Sequence, residues 1–360
     1  MVSGVVKGWT GHPGDRHHGA HGSVAARALE VPEGDLLDFS QNINPLGAPA
    51  GALEAARRAL YEEAGRYPDL DYPELREALA AYLGVPPGKV VPTNGGAEAL
   101  FLAARASRAG AKALILEPTF SEYAAAARAA GLEPVRRVAR RREDGFRPDL
   151  AALEDLEGMA LVFLCNPNNP TGDALSREGV LEVADHVLER NAVLVVDEAF
   201  ADFAPETSVA AEVGEGLYVA RSFTKFFAVP GLRLGCLVCA DPGRIREFQP
   251  SWPVNAVAAA AGAAAVRDRD FADASIANIS RLREELFEAL GALPGLTPFP
   301  GAANFLLVHG PAGLPERLAR RGVLVRGCEP FLGLGPEYFR VAVRGRAENE
   351  RLVAEIREEL

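Results

Sequence analysis

Between residues 90 and 240 the chain alternates short, β-branched apolar runs with helical stretches, and this alternation restricts its architecture more than any other feature. Residues 90–93, 113–117, 160–165, 193–196, 217–221 and 234–240 read as strands. Residues 97–107, 121–130 and 176–190 read as helices between them. Parallel strands need a crossover, usually helical, so the pattern predicts an α/β fold with a mostly parallel central sheet. Ligands of such sheets sit beyond the carboxyl ends of the strands. The residues after each run are therefore where chemistry is sought.

From about residue 255 the pattern changes. A helical stretch, 268–290, ends at Gly291 and Pro294, and short strands near 304–308, 323–326 and 338–343 precede a helix at 347–359. This reads as a smaller α+β domain. The predicted organisation is an N-terminal segment, 1–50, contributing to the small domain and the site, a large domain, 51–255, and a C-terminal small domain, 256–360. Segment 1–50 is rich in Gly, His, Pro and Asn and reads as mostly irregular. Its stretch DFSQNINPLG, 38–47, is dense in side chains that bond backbone, which favours an ordered loop.

A chain of 360 residues buries a core without disulfides or a metal. Its formal charge of −11 argues against nucleic-acid binding but permits a local cationic pocket. No apolar run approaches the ~18 residues of a membrane span, and the N-terminus lacks an apolar stretch of signal-peptide length. Cys165, Cys236, Cys239 and Cys328 lie in apolar segments and read as reduced thiols of a cytoplasmic protein. Cys236 and Cys239 form a lone CxxC with no second pair or His partner. His12, His17, His18 and His21 show no Cys or acidic ligand pattern that would support a zinc site. No metal is predicted.

Four features fall where strands end. Thr93-Asn94-Gly95-Gly96-Ala97 opens a helix. Small residues there let backbone approach a ligand, and the helix N-terminus favours an anion, although an ordinary strand–helix turn reads the same way. It matches neither GxxxxGK[ST] nor GxGxxG. Asp197 ends the apolar strand of VLVVDEAF. A carboxylate there needs a cation, whether an arginine or a charged ring nitrogen. Ser222-Phe223-Thr224-Lys225 and Arg233 combine phosphate-type donors with one of only four lysines. A poorly hydrated lysine serves as nucleophile or proton carrier, whereas a snorkelling lysine serves neither. CNPNNPTG offers the Asn169 amide in a tight turn, and Phe120 is placed to stack on a flat ring or to fill core. A phosphate cradle, a carboxylate, an amide, an aromatic face and a lysine together suit pyridoxal 5′-phosphate.

NPNNPTG, DEAF and SFTK with Arg233 eight residues on resemble the fold-type I pyridoxal-phosphate enzymes of the aminotransferase class. HGAHG, LLDFSQNINPLG, RYPDLDY, TNGGAEALF, SWPVNAVAA and YFRVAVRGRAENERL extend the likeness over nearly the whole chain. Within the class, DFSQNINPLG and SWPVNAVAA are similar to the decarboxylases that act on O-phospho-L-threonine in cobalamin synthesis. The histidinol-phosphate aminotransferases share the core motifs. A non-catalytic pyridoxal-phosphate-binding regulator is a remote alternative, with no added DNA-binding region to support it.

The resemblance implies roles residue by residue. Lys225 condenses with the cofactor aldehyde, Asp197 pairs with the ring nitrogen, Asn169 bonds the ring hydroxyl oxygen and Phe120 stacks on the ring. Gly95, Gly96, Ala97, Ser222, Thr224 and Arg233 hold the cofactor, chiefly by its phosphate, with Tyr67 reaching in from the second subunit of a homodimer. His18, Gly19, Asn42, Asn169, Arg326 and Arg340 contact a phosphorylated amino acid. Three positions depart from the family pattern. They are Ala20 after His18-Gly19, Phe200 where a tyrosine is usual, and Gly96-Ala97 in the phosphate turn.

Overall fold

The computed structural model describes residues 22–30 and 32–360. After a short pairing strand, β1 (Leu37–Asp38), come seven strands that share one sheet. They are β2 (Val90–Thr93), β3 (Lys112–Glu117), β4 (Glu133–Val138), β5 (Met159–Cys165), β6 (Val193–Asp197), β7 (Leu217–Ser222) and β8 (Gly235–Val238). Their order is β2-β8-β7-β6-β5-β3-β4, and β8 alone runs antiparallel to its neighbours. All seven residues of β5 are buried, as a central strand covered on both faces requires.

Side-chain alternation builds two cores from the same strands. Ile115, Phe163 and Val195 pack on one face with Leu100 and Tyr123 from helices Gly95–Arg105 and Glu122–Ala129. Leu114, Val162 and Val196 pack on the other with Val183 from helix Arg177–Leu188. The strand runs read from sequence all appear. β4, Glu-Pro-Val-Arg-Arg-Val, was not predicted, because an edge strand half open to water carries polar residues that mask its period.

The C-terminal third adds β9 (Thr297–Pro298), β10 (Phe305–His309), β11 (Val323–Leu324), β12 (Arg326–Gly327) and β13 (Tyr338–Ala342). The order β12-β13-β10-β9 is antiparallel throughout. Residues 323–326, expected as one strand, divide at Val325. β11 pairs in parallel with β1, while β12 pairs with β13. That split stitches the N-terminal segment to the small sheet, and Ala342 N–H also donates to Phe39 O at 2.9 Å. Helix Gly22–Leu29 lies in the segment read as mostly irregular. Gly172 and Gly301 meet so closely that a Cβ on either would lie 3.3 Å from the other's backbone, and Ala302 N–H donates to Gly172 O at 2.7 Å. No described helix is long and apolar enough to cross a membrane. All four cysteines are free and buried, and burial pushes the thiols of Cys236 and Cys239 up to about 12.

Candidate active site

A cavity of about 460 Å³ opens where β5, β6 and β7 end and helix Gly95–Arg105 begins. Four cations (Lys225, Arg233, Arg326, Arg340) and two carboxylates (Asp197, Glu122) line it. A cationic pocket thus exists in an acidic chain, and it demands an anion.

At one end the backbone forms a cradle. Gly95 has φ +77°, and a Cβ there would stand 2.7 Å from Arg233 Nη2. A Cβ on Gly96 would stand 2.9 Å from that of Ser222. Glycine is therefore required by backbone conformation at the first position and by crowding at both. Gly96 and Ala97, in the first turn of the helix, line the cavity with Ser222, Thr224 and Arg233. The Ser222 and Thr224 hydroxyls lie 2.9 Å apart. Arg233 is held in the left-handed region, φ +60°, where arginine rarely sits. Helix-end N–H groups, two hydroxyls and a guanidinium are the donor set that a phosphate takes.

Lys225 stands at the centre of the wall, its Nζ 5.1 Å above the Phe200 ring. Burial lowers the Lys225 pKa, and the nearby Asp197 charge only partly opposes this. Asp197 ends β6. Its Oδ2 accepts from Tyr123 O–H at 2.7 Å and its Oδ1 from Ala199 N–H at 3.0 Å. Burial raises its pKa, against the Tyr123 bond and the Lys225 charge. A cation arriving at Asp197 restores the ionised form. Phe120 and Asn169 line the same cavity. Asn169 Oδ1 accepts from Arg340 Nη1, which leaves Nδ2 as the donor toward a ligand.

At the other end, Arg326 and Arg340 are directly opposed across the β12–β13 pair, each only 6% exposed. Like charges facing one another on buried strands are unfavourable unless an anion joins them. Arg340 Nη2 donates to Ser40 O at 2.9 Å. Burial pulls its pKa down to about 10, and Arg326 pulls the same way. Asn42, two residues beyond Ser40, also faces the cavity, and its Oδ1 is buried without a hydrogen-bond partner among the described residues.

The cavity therefore gathers Gly96, Ala97, Phe120, Asn169, Asp197, Ser222, Thr224, Lys225, Arg233, Asn42, Arg326 and Arg340, with Gly95 against Arg233. Tyr67 lies outside it, 77% exposed and stacked on Trp252 at 4.4 Å. His18 and Gly19 fall outside the described residues. Sequence reading missed Tyr123, three residues past Phe120, because a buried tyrosine is usually core. It also missed Glu122, and Ser40 within DFSQNINPLG, neither of which was singled out. The cradle's crowding and the donor set fit pyridoxal phosphate and a phosphorylated substrate.

A model of the aminotransferase class I and II family matches residues 34–356, and the chain belongs to that family, whose cofactor is pyridoxal phosphate. It is 40% identical over 353 residues to threonine-phosphate decarboxylase of Salmonella typhimurium, covering 94% of this chain and 95% of that one. It is 36% identical to histidinol-phosphate aminotransferase of Methanopyrus kandleri, covering 92% and 90%. The crystal structure of L-threonine-O-3-phosphate decarboxylase from Porphyromonas gingivalis superposes with a TM-score of 0.79 at 26% identity, covering 89% of this chain and 98% of that one.

Proposed function

We propose that this enzyme decarboxylates O-phospho-L-threonine to 1-amino-2-propanol O-phosphate, a step of cobalamin synthesis. One observation carries the reading. In a chain 40% identical to a threonine-phosphate decarboxylase, Lys225 shares a cavity with two facing buried arginines. A substrate with a carboxylate and a phosphate suits two facing guanidiniums, each able to hold an anionic group with two donors.

Bound pyridoxal phosphate supplies an electron sink for the bond broken at Cα. Gly95, Gly96, Ala97, Ser222, Thr224 and Arg233 hold its phosphate end. Asp197 keeps its ring nitrogen protonated, helped by the Tyr123 hydroxyl, and Phe120 covers the ring. Asn169 Nδ2 donates to the ring oxygen. Arg326, Arg340 and Asn42 would bind and orient the substrate's two anionic groups, a role that the resemblance also gives to His18 and Gly19. The poorly hydrated Lys225 amine would hold the cofactor aldehyde and would carry the proton for Cα of the substrate.

Tyr67 completes the cradle of a second copy. It sits with Leu60, Tyr61, Leu70 and Trp252 among the exposed large apolar side chains, as the interface of a homodimer would place it. Mixing Lys225→Ala with Tyr67→Phe protein then regenerates activity in hybrid dimers. The four reduced thiols suit a cytoplasmic enzyme.

The test is direct. Pure protein with pyridoxal phosphate and O-phospho-L-threonine, without any 2-oxo acid, should release carbon dioxide. Turnover only when a 2-oxo acid is added would assign the chain to the aminotransferase activity of its Methanopyrus relative. Lys225→Ala should remove the yellow colour, the borohydride-trapped adduct and all turnover.

A further inference from the structure

Behind the Asn169 turn lies a buried ion pair that touches neither end of the cavity. Arg140, in the loop after β4, is 1% exposed, and Asp173, at the end of the turn, is 7% exposed. Arg140 Nη1 donates to Asp173 Oδ2 at 2.5 Å and to Phe146 O at 3.3 Å, and Nη2 donates to Cys165 O at 3.4 Å. The guanidinium therefore joins the end of β5, the far end of the turn and the post-β4 loop.

The turn's other polar groups run into the same pair. The Thr171 hydroxyl donates to Asp173 Oδ1. Asn168 Nδ2 donates to Thr171 Oγ1 at 2.7 Å and to Pro118 O at 3.0 Å, while Thr119 O–H donates to Asn168 Oδ1 at 2.9 Å. Pro118 and Thr119 immediately precede Phe120. Gly172 O, one residue from Asp173, accepts from Ala302 of the C-terminal part. The turn is thus fixed from behind on four sides, while Asn169 at its front holds Arg340. A buried ion pair stabilises a fold little more than apolar packing would. What a guanidinium with three acceptors adds is a fixed geometry.

We propose that Arg140 and Asp173 are positioning residues for Asn169. Resting on the functional reading above, they hold the turn so that one amide serves two ligands. Asn169 Oδ1 aims Arg340 at the substrate, and Asn169 Nδ2 meets the cofactor's ring oxygen. Loosening the pair lets the amide swing and misaligns both.

The experiment uses the holoenzyme and Asp173→Asn, which keeps shape and removes charge. KM for O-phospho-L-threonine should rise about tenfold, the size of one lost hydrogen bond to a charged group, with a smaller fall in kcat. The pH midpoint of the yellow absorbance should move upward, because an N–H bonded to the ring oxygen favours its deprotonated form. Asn169→Ala should shift both quantities alike. The double variant should add nothing to Asn169→Ala, as coupled residues require. A lower melting temperature with KM and the spectral midpoint unmoved, or effects that add in the double variant, would overturn the proposal. If Asp173→Asn does not fold, Thr171→Val weakens the same network and should give smaller shifts in the same directions. Unmoved values there overturn it too. A colourless, inactive wild-type protein would instead sink the functional reading and the brace with it. A normal wild type with unresponsive variants sinks the brace alone.

Discussion

Two clusters of buried charge meet at the ends of β6 and β7, one of them reaching across to Arg326 and Arg340 of β12 and β13, and they have opposite fates. Glu198 and Arg221 stand next to Asp197 and Ser222 in sequence. Arg221 Nη1 donates to Glu198 Oε2 at 2.6 Å, and its Nη2 donates to Asp202 Oδ1. Ser208 O–H and Val209 N–H also donate to Glu198, and Tyr82 O–H donates to Asp202 at 2.9 Å. Burial alone would lower the Arg221 pKa, yet Asp202 and Glu198 raise it above the usual range. The cavity cluster shows the reverse. Arg340 bonds two neutral oxygens, faces Arg326, and is pulled down by burial. The first cluster pairs its charges within the chain, whereas Arg340 of the second has no ion pair among the described residues. Burial and residue type are alike in both; the supply of counter-charge separates scaffold from site.

Substitutions can break this contrast. The largest effect belongs to Arg221→Met, which strands Glu198 and Asp202 together. Urea unfolding should show a loss of about 3–5 kcal/mol, the cost of an uncompensated buried charge. Asp197→Asn should do the opposite. Steady-state assays should show kcat reduced on the order of 10³-fold, with the urea midpoint held or raised. Arg340→Met comes next. KM for the phosphorylated substrate should rise about 10- to 100-fold while stability of the cofactor-free protein does not fall, since Arg340 has no ion pair among the described residues to lose. A stability loss as large as that of Arg221→Met would erase the distinction drawn here.

The smallest effect is a slope. Burial holds the Lys225 pKa below its ordinary 10.5. Between the lowered value and 10.5 the unfolded chain binds a proton that the folded chain has released. Stability of the cofactor-free protein therefore rises with pH across that window, by up to about 1.4 kcal/mol per pH unit. Below the lowered value both states are charged and the slope vanishes. Urea titrations from neutral to alkaline pH should show the slope in wild type and a flatter line in Lys225→Met.

The parallel core was legible because its strands are apolar on both faces and its helices keep a clean period. The cradle was legible too. Gly95-Gly96, Ser222, Thr224 and Arg233 lie within a few residues of strand ends, where small and donor groups have few other uses. What escaped was whatever depends on contacts distant in sequence. Nothing local distinguishes Tyr123 from core before its hydroxyl is seen on Asp197, 74 residues away. Arg140 reads as one more arginine in an arginine-rich stretch until Asp173 is found beside it, 33 residues on. The break at Val325 likewise follows from two partners, β1 and β13, that compete for neighbouring residues.

The reversed direction of β8 has a consequence for how the site is assembled. A parallel strand offers only its last residues to the rim, but an antiparallel one offers its first. Ser222 and Arg233 therefore lie at opposite ends of a single loop whose two feet are clamped by paired strands, with Ser222 registered against Gly235. Lys225 rides on that loop. The backbone position of Lys225 relative to Ser222, Thr224 and Arg233 is therefore set by one hairpin rather than by the packing of separate elements.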